Sequence, residues 1–96
     1  MTAAERAYER RPGHVAASLG EELAVLDMAS GSYLGFNATA AHVWRLLDQP
    51  RTLGALCQAM TQEFDVDADR CRAELHELLD QMLAAGLIQT RHDGAA

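Results

Sequence analysis

The chain has 96 residues, a formal net charge of −6 and 49% hydrophobic residues, which fits one small globular domain. No apolar run approaches the roughly 18 residues of a membrane span, and the N-terminus lacks the apolar centre of a signal peptide. We therefore expect a cytoplasmic protein with no membrane partner. All eight basic residues are arginine, and the acidic excess is a poor match for the phosphates of a nucleic acid.

The first third of the chain predicts a small sheet. Residues 1–12 carry charge but no apolar period, so we predict a flexible arm there. Residues 14–19 alternate in polarity, as a strand with one buried face does. Two further strands, at residues 23–28 and 32–36, are each preceded by a glycine-containing turn. This pattern indicates an N-terminal three-stranded antiparallel sheet.

Helices follow the sheet. The first is predicted at about residues 39–48, with Asn37 and Thr39 as candidate N-caps, and it stops before Pro50, which disfavours a helical residue ahead of it. The second begins at Thr52, also a candidate N-cap. Its single apolar stripe contains Leu53, Leu56, Cys57, Met60 and Phe64.

The third helix is the longest, at about residues 68–85, and Gly86 is its predicted C-cap. Residues 87–90 either add a short strand or simply pack on the domain, and residues 91–96 are a predicted flexible tail. One domain of the α+β class therefore spans residues 13–90. The apolar arc of the third helix is wider than one stripe, so the helix is central or faces something absent from this chain.

The residues that usually carry catalysis or bind metals are scattered. The four histidines, at positions 14, 42, 76 and 92, fall in different predicted elements, and no Cys-x-x-Cys pair or phosphate-binding glycine loop occurs. Cys57 and Cys71 have apolar neighbours and are interpreted as small hydrophobes. Asp65, Asp67 and Asp69 suit the start of a helix better than a calcium loop. We predict a protein that is not an enzyme and has no metal or cofactor.

Binding remains, and three kinds of partner are possible. A sheet with three helices is typical of winged-helix proteins, many of which bind DNA. However, the second helix has no basic residue, and Arg70 and Arg72 on the third are offset by acidic neighbours. A second possibility is a self-associating subunit, such as a homodimer paired through an open strand. The third is peptide recognition.

Peptide recognition uses the third predicted strand. An edge strand offers N–H and C=O groups that an extended peptide can pair with, and pockets beside it give selectivity. Gly35 permits close approach of another backbone, and Tyr33 offers a ring with a hydroxyl. The apolar surplus of the third helix would form the far wall of a groove.

Several segments resemble one protein family: VLD, GSYLGFN, HVWRLLDQPRTLGALCQAM, EFDVD and LLDQMLAAGLI. Together they resemble the PqqD-like family, the precursor-peptide recognition elements of pathways that modify ribosomally made peptides (RiPPs). The likeness extends from about His14 to Ile88. It implies a winged helix-turn-helix-like fold in which the leader of a precursor peptide adds as a strand to the third predicted strand, against the third predicted helix. The peptide-binding residues that it implies are Tyr33, Leu34, Gly35, Phe36, Arg72, Leu75, His76, Leu79 and Met82.

The resemblance also implies partners. The second strand, its turn and YLGFN are most similar to stand-alone members that serve lasso-peptide pathways, where the recognition protein delivers the precursor to a leader peptidase and a cyclase. The alternative is pyrroloquinoline quinone (PQQ) biosynthesis with a radical-SAM enzyme. Our primary hypothesis is a non-catalytic peptide chaperone for lasso-peptide biosynthesis. A winged-helix DNA-binding regulator is the alternative from another class.

Overall fold

The computed structural model describes residues 6–92, which form three helices and two small sheets. The elements in chain order are β1 Arg6–Arg10, β2 His14–Leu19, β3 Glu22–Asp27, β4 Tyr33–Phe36, α1 Ala38–Leu46, β5 Arg51–Thr52, α2 Leu53–Glu63, α3 Ala68–Ala84 and β6 Ile88–His92. The predicted α+β class, with an antiparallel three-stranded sheet and three helices, is confirmed. No helix within residues 6–92 is long and apolar enough to cross a membrane.

The first sheet is an antiparallel meander with the order β2-β3-β4. In its central strand Leu23 and Val25 are buried, 4% and 1% exposed, because alternate residues of β3 face the helices. They pair with Phe36 and Leu34 of β4, so these two side chains share the helix-facing side. The strand β2 covers the other edge of β3 and is almost wholly exposed.

Each helix begins with a capping side chain. The Asn37 side-chain oxygen accepts the N–H of Ala40 at 2.9 Å, the Thr52 hydroxyl accepts the N–H of Ala55 at 3.1 Å, and Asp67 caps α3. These bonds satisfy N–H groups that have no partner inside the helix. Asn37 and Thr52 therefore act as predicted, whereas Thr39 lies within α1.

Gly86 ends α3 as predicted. Its φ of 76° is easily reached only without a Cβ. The N–H of Gly86 donates to Leu83 O and the N–H of Leu87 donates to Met82 O, both at 3.0 Å, which is the Schellman pattern. Leu87 and Met82 are both buried, so the apolar contact that usually accompanies this motif is present.

A second sheet, with the order β5-β1-β6, differs from the sequence-based expectation. Residues 6–10 were predicted in a flexible arm, yet β1 is the central strand of this sheet. Residues 91 and 92 were assigned to the tail, yet they belong to β6 and pair with β1. The strand RAYER has one buried residue, Ala7. Its sequence therefore lacks the alternation of apolar and polar residues that would have predicted a strand. Its partners lie far along the chain, and local patterns do not report such pairing.

The core lies between the β2-β3-β4 sheet and the helices. Trp44, 4% exposed, is near its centre and meets Phe36 edge-on with 5.7 Å between ring centroids. Cys71 is buried and Cys57 is half-buried beside the core. The buried residues of the cluster are Leu23, Val25, Phe36, Ala40, Ala41, Val43, Trp44, Leu47, Leu56, Met60, Cys71, Leu75, Leu79, Met82, Leu87 and Ile88.

Candidate functional site

Among the residues that the structure describes, β4 pairs with β3 alone, so its other edge presents the main-chain groups of two residues. Asp27 donates its N–H to Ser32 O at 2.8 Å, which makes this a hydrogen-bonded pair of the antiparallel ladder. Hydrogen-bonded and non-hydrogen-bonded pairs alternate along such a ladder. In the register of β3 with β4, Leu34 and Phe36 therefore bond to β3. The N–H and C=O groups of Tyr33 and Gly35 point away from β3, toward the open edge.

A groove runs beside this edge. It is a cavity of about 510 Å³, with one wall formed by residues 34–37 and the other by α3. Leu34 is 45% exposed although it lies on the helix-facing side of the sheet, because α3 does not close over it. The groove is lined on α3 by Glu74, Leu78, Gln81 and Met82, and at the end of the helix by Ala85.

A second cavity, of about 460 Å³, lies farther toward the N-terminus of α3. It shares Thr39, Glu74 and Leu78 with the groove. Its walls come from α1, α2, α3 and the segment between α2 and α3, where Phe64 and Val66 are 38% and 46% exposed. The two cavities therefore form a continuous depression that extends past the C-terminal end of β4.

The structure brings some of the residues predicted for peptide binding together and separates others. Leu34, Gly35, Phe36 and Met82 line the groove, and Leu75 lines the second cavity. Tyr33, at the start of the open edge, is 72% exposed.

The other predicted positions on α3 lie outside both cavities. Leu79 is 0% exposed and belongs to the core. Arg72 is exposed. The exposed ring of His76 lies 3.5 Å from the carboxylate of Asp80, within α3.

Four groove residues on α3 and at its C-terminal cap were not predicted: Glu74, Leu78, Gln81 and Ala85. They are spaced by four, three and four residues, so they form one row along the helix. The core row, Cys71, Leu75, Leu79 and Met82, lies on an adjacent face. The mixture of polar and apolar residues in the groove row is the signal that could have revealed it, since a row of this kind suits a half-solvated wall.

Charged groups occur at the second cavity. Arg70 Nε donates to Glu74 Oε2 at 2.9 Å, and this hydrogen bond raises the pKa of Arg70. The pKa of the Cys71 thiol is also raised, first by burial and then by the neighbouring Cys57, so Cys71 stays protonated at neutral pH. Within the described part of the chain, no three histidine, cysteine or carboxylate side chains lie together as a metal site would require.

Comparison with known proteins gives the family. The family model for coenzyme PQQ synthesis protein D (PqqD) matches residues 22–88. The chain belongs to the PqqD family. The resemblance seen in the sequence is thus confirmed, and the matched span contains β3, β4, all three helices and the start of β6. A search of curated protein sequences gives no significant match to this PqqD-family chain.

Two solved structures have a similar fold. One is "TbiB1 in Complex with the TbiA(beta) Leader Peptide", with a TM-score of 0.77 and 23% sequence identity, covering 92% of this chain and 98% of that one. The other is "Lasso peptide synthetase B1 complexed with the leader peptide", with a TM-score of 0.73 and 26% identity, covering 85% of this chain and 96% of that one. The PqqD-family chain therefore matches both proteins over nearly their full length.

Proposed function

We propose that this protein is a non-catalytic peptide chaperone of lasso-peptide biosynthesis. It binds the leader of a ribosomally made precursor peptide by adding the leader as a strand to β4, in the groove against α3. It then delivers the precursor to a leader peptidase and a cyclase. The alternative within the family is PQQ biosynthesis, with a radical-SAM enzyme in place of these partners.

The observation that carries the proposal is the open edge of β4 beside the groove. Tyr33 and Gly35 direct their main-chain groups toward the space that a guest strand would occupy. Side chains of the guest would alternate, so every second one enters the groove. Main-chain hydrogen bonds supply affinity in this mode of recognition, and the pockets supply selectivity.

The names of the related structures support a leader as the guest. Both proteins were solved with a leader peptide, and one is called a lasso peptide synthetase B1. The chain also belongs to a family named for PQQ synthesis, which is why that pathway remains the alternative. A binding protein of this kind acts by raising the effective concentration of the precursor at its enzymes.

Gly35 offers a sharp test of strand addition. A Cβ added at Gly35 meets no atom of the protein within 4 Å, so Gly35→Ala should fold normally and keep the N–H group. Gly35→Pro removes that N–H, which β3 does not use. We expect Gly35→Pro to weaken leader binding by at least about tenfold, and Gly35→Ala to change it much less.

Titration calorimetry with a synthetic leader peptide of a candidate precursor measures both affinities, and circular dichroism checks the fold. Equal affinities of the proline and alanine variants would show that the leader does not pair with β4. If neither the wild type nor either variant bound the leader, the proposed function itself would be contradicted. Adding each candidate enzyme to the loaded protein then distinguishes a peptidase–cyclase pathway from a radical-SAM pathway.

A further inference from the structure

The opposite edge of the same sheet, β2, is also open. Within residues 6–92, β2 pairs with β3 alone. The segment from Gly13 to Gly20 contains no charged residue and no proline, although most proteins protect an edge strand with such residues. Val15 and Leu19 are 53% and 63% exposed. The edge is therefore both accessible and unprotected.

The alternation of hydrogen-bonded and non-hydrogen-bonded pairs between β2 and β3 identifies the main-chain N–H and C=O groups that this edge offers. Met28 donates its N–H to Gly13 O at 2.9 Å, so in the register of β2 with β3 the odd-numbered residues of β2 bond to β3. The alternation of an antiparallel ladder then directs the main-chain groups of His14, Ala16 and Ser18 outward. None of these three N–H groups is needed for the fold of one chain.

This edge is complementary to itself. In an antiparallel pair of two β2 strands centred on Ala16, each Ala16 faces its counterpart, and His14 faces Ser18 of the second copy. The outward N–H and C=O groups of His14, Ala16 and Ser18 are then all hydrogen-bonded between the two copies. No charged side chain of one β2 strand faces another across the pair. Arg11 and Glu21, both exposed, lie beyond the opposite ends of β2. In an antiparallel pair the basic end of one copy therefore lies near the acidic end of the other, on each side of the two-fold axis.

We propose that a second copy of this chain occupies the β2 edge, in the register centred on Ala16. The product is a six-stranded sheet with the order β4-β3-β2-β2-β3-β4. A leader is a poorer occupant here, because the cavities beside α3 lie at the other edge. The dimer leaves both β4 edges open, so it can bind two guest strands, and the inference does not depend on the proposed function.

The interface consists of one short strand pair and is smaller than a standard stable interface of about 1,600 Å². The dimer should therefore depend on concentration, so sedimentation velocity is measured from about 10 µM to about 1 mM. We expect dimer to form within this range. Ala16→Pro removes an outward N–H only and should weaken dimerisation at least about tenfold, whereas the matched variant Ala16→Ser should not.

A charge swap tests the antiparallel pairing of the two copies without placing proline in a strand. Arg11→Glu should weaken the dimer, and the double variant Arg11→Glu with Glu21→Arg should restore it. A wild-type chain that stays monomeric throughout the range, or a dimer unaffected by both Ala16→Pro and the charge reversal, would overturn the proposal. Leader affinity measured on the same variants should not change, which separates failure of the dimer from failure of peptide binding.

Discussion

The guanidinium of Arg10 lies over the indole ring of Trp44, 4.8 Å from the ring centroid. Its Nε also donates to the Trp44 carbonyl oxygen at 3.0 Å, and a second guanidinium N–H reaches the same oxygen. Burial lowers the pKa of Arg10, but an arginine stays charged at any pH at which the protein is folded. One side chain therefore joins β1 to the last turn of α1.

Replacing Arg10 should destabilise the whole domain. Arg10→Ala removes the contact with the ring and leaves the Trp44 carbonyl without these donors, so we expect a loss of about 1–3 kcal/mol in the free energy of unfolding. Urea denaturation measures it. Arg72→Ala is the matched control, because Arg72 is exposed. Equal stability of the two variants would show that the Arg10–Trp44 contact contributes nothing.

Trp44 itself should matter more. Its ring is buried among Phe36, His14 and the Arg10 guanidinium, and truncation leaves a large cavity. We expect Trp44→Ala to lower the free energy of unfolding by about 3–5 kcal/mol, and Trp44→Phe to lower it by less because much of the volume is retained. Thermal and urea unfolding provide the comparison. Similar losses for both substitutions would mean that the space around the indole collapses.

Glu9 gives the domain a dependence on pH. Gln89 donates to its carboxylate at 2.7 Å and Arg91 at 3.2 Å, and the hydrogen bond from Gln89 is the main reason that the pKa of Glu9 lies below its ordinary value. A lowered carboxyl pKa contributes stability that is complete above the unfolded-state pKa and is lost as the pH falls through the folded-state pKa.

The melting temperature should reveal this contribution. At neutral pH, Glu9→Gln should melt below the wild type, since Gln89 and Arg91 then donate to a neutral amide oxygen in place of a charged carboxylate. As the pH falls through the range in which the Glu9 carboxylate of the folded protein is protonated, the difference should shrink. Glu63→Gln, at an exposed end of α2, is the control. A difference between wild type and Glu9→Gln that does not vary with pH would contradict this assignment.

Local patterns were sufficient for much of this fold. The strands at 14–19 and 23–28 were predicted from alternation and glycine turns, and the helix ends from Asn37, Thr52 and Gly86. These signals act within a few residues, and tertiary contacts did not override them. By contrast, β1 and β5 were not predicted. β1 pairs with both β5 and β6, so this sheet joins segments from the start, the middle and the end of the chain, and local patterns do not report such distant pairing.

The groove lies beside the strand and the helix named from the sequence, but of the five α3 positions named there only Leu75 and Met82 line a cavity. The open strand at Tyr33–Phe36 follows from the order of strands in the predicted sheet. On α3, however, an apolar residue such as Leu79 is equally suited to a core and to a groove, and the sequence pattern does not separate these roles. The structure does so, because Leu79 is fully buried while Leu78 is only partly covered and lines the groove.

The difference between these neighbouring leucines gives the last prediction. Leu78 is shared by both cavities, so Leu78→Gln should remove apolar contact with a bound leader and weaken its affinity about tenfold, in line with the loss of one buried apolar contact. Stability should change little, because the side chain is already partly solvated. Fluorescence anisotropy of a labelled leader measures the affinity.

His76→Ala provides the control on the same helix, because His76 is exposed and lies outside both cavities. We expect leader affinity within about twofold of the wild type for this variant. If His76→Ala lowered the affinity as much as Leu78→Gln, the leader would lie across the exposed face of α3 and not in the groove. If only Leu78→Gln did so, Leu78 would help form the wall that faces β4.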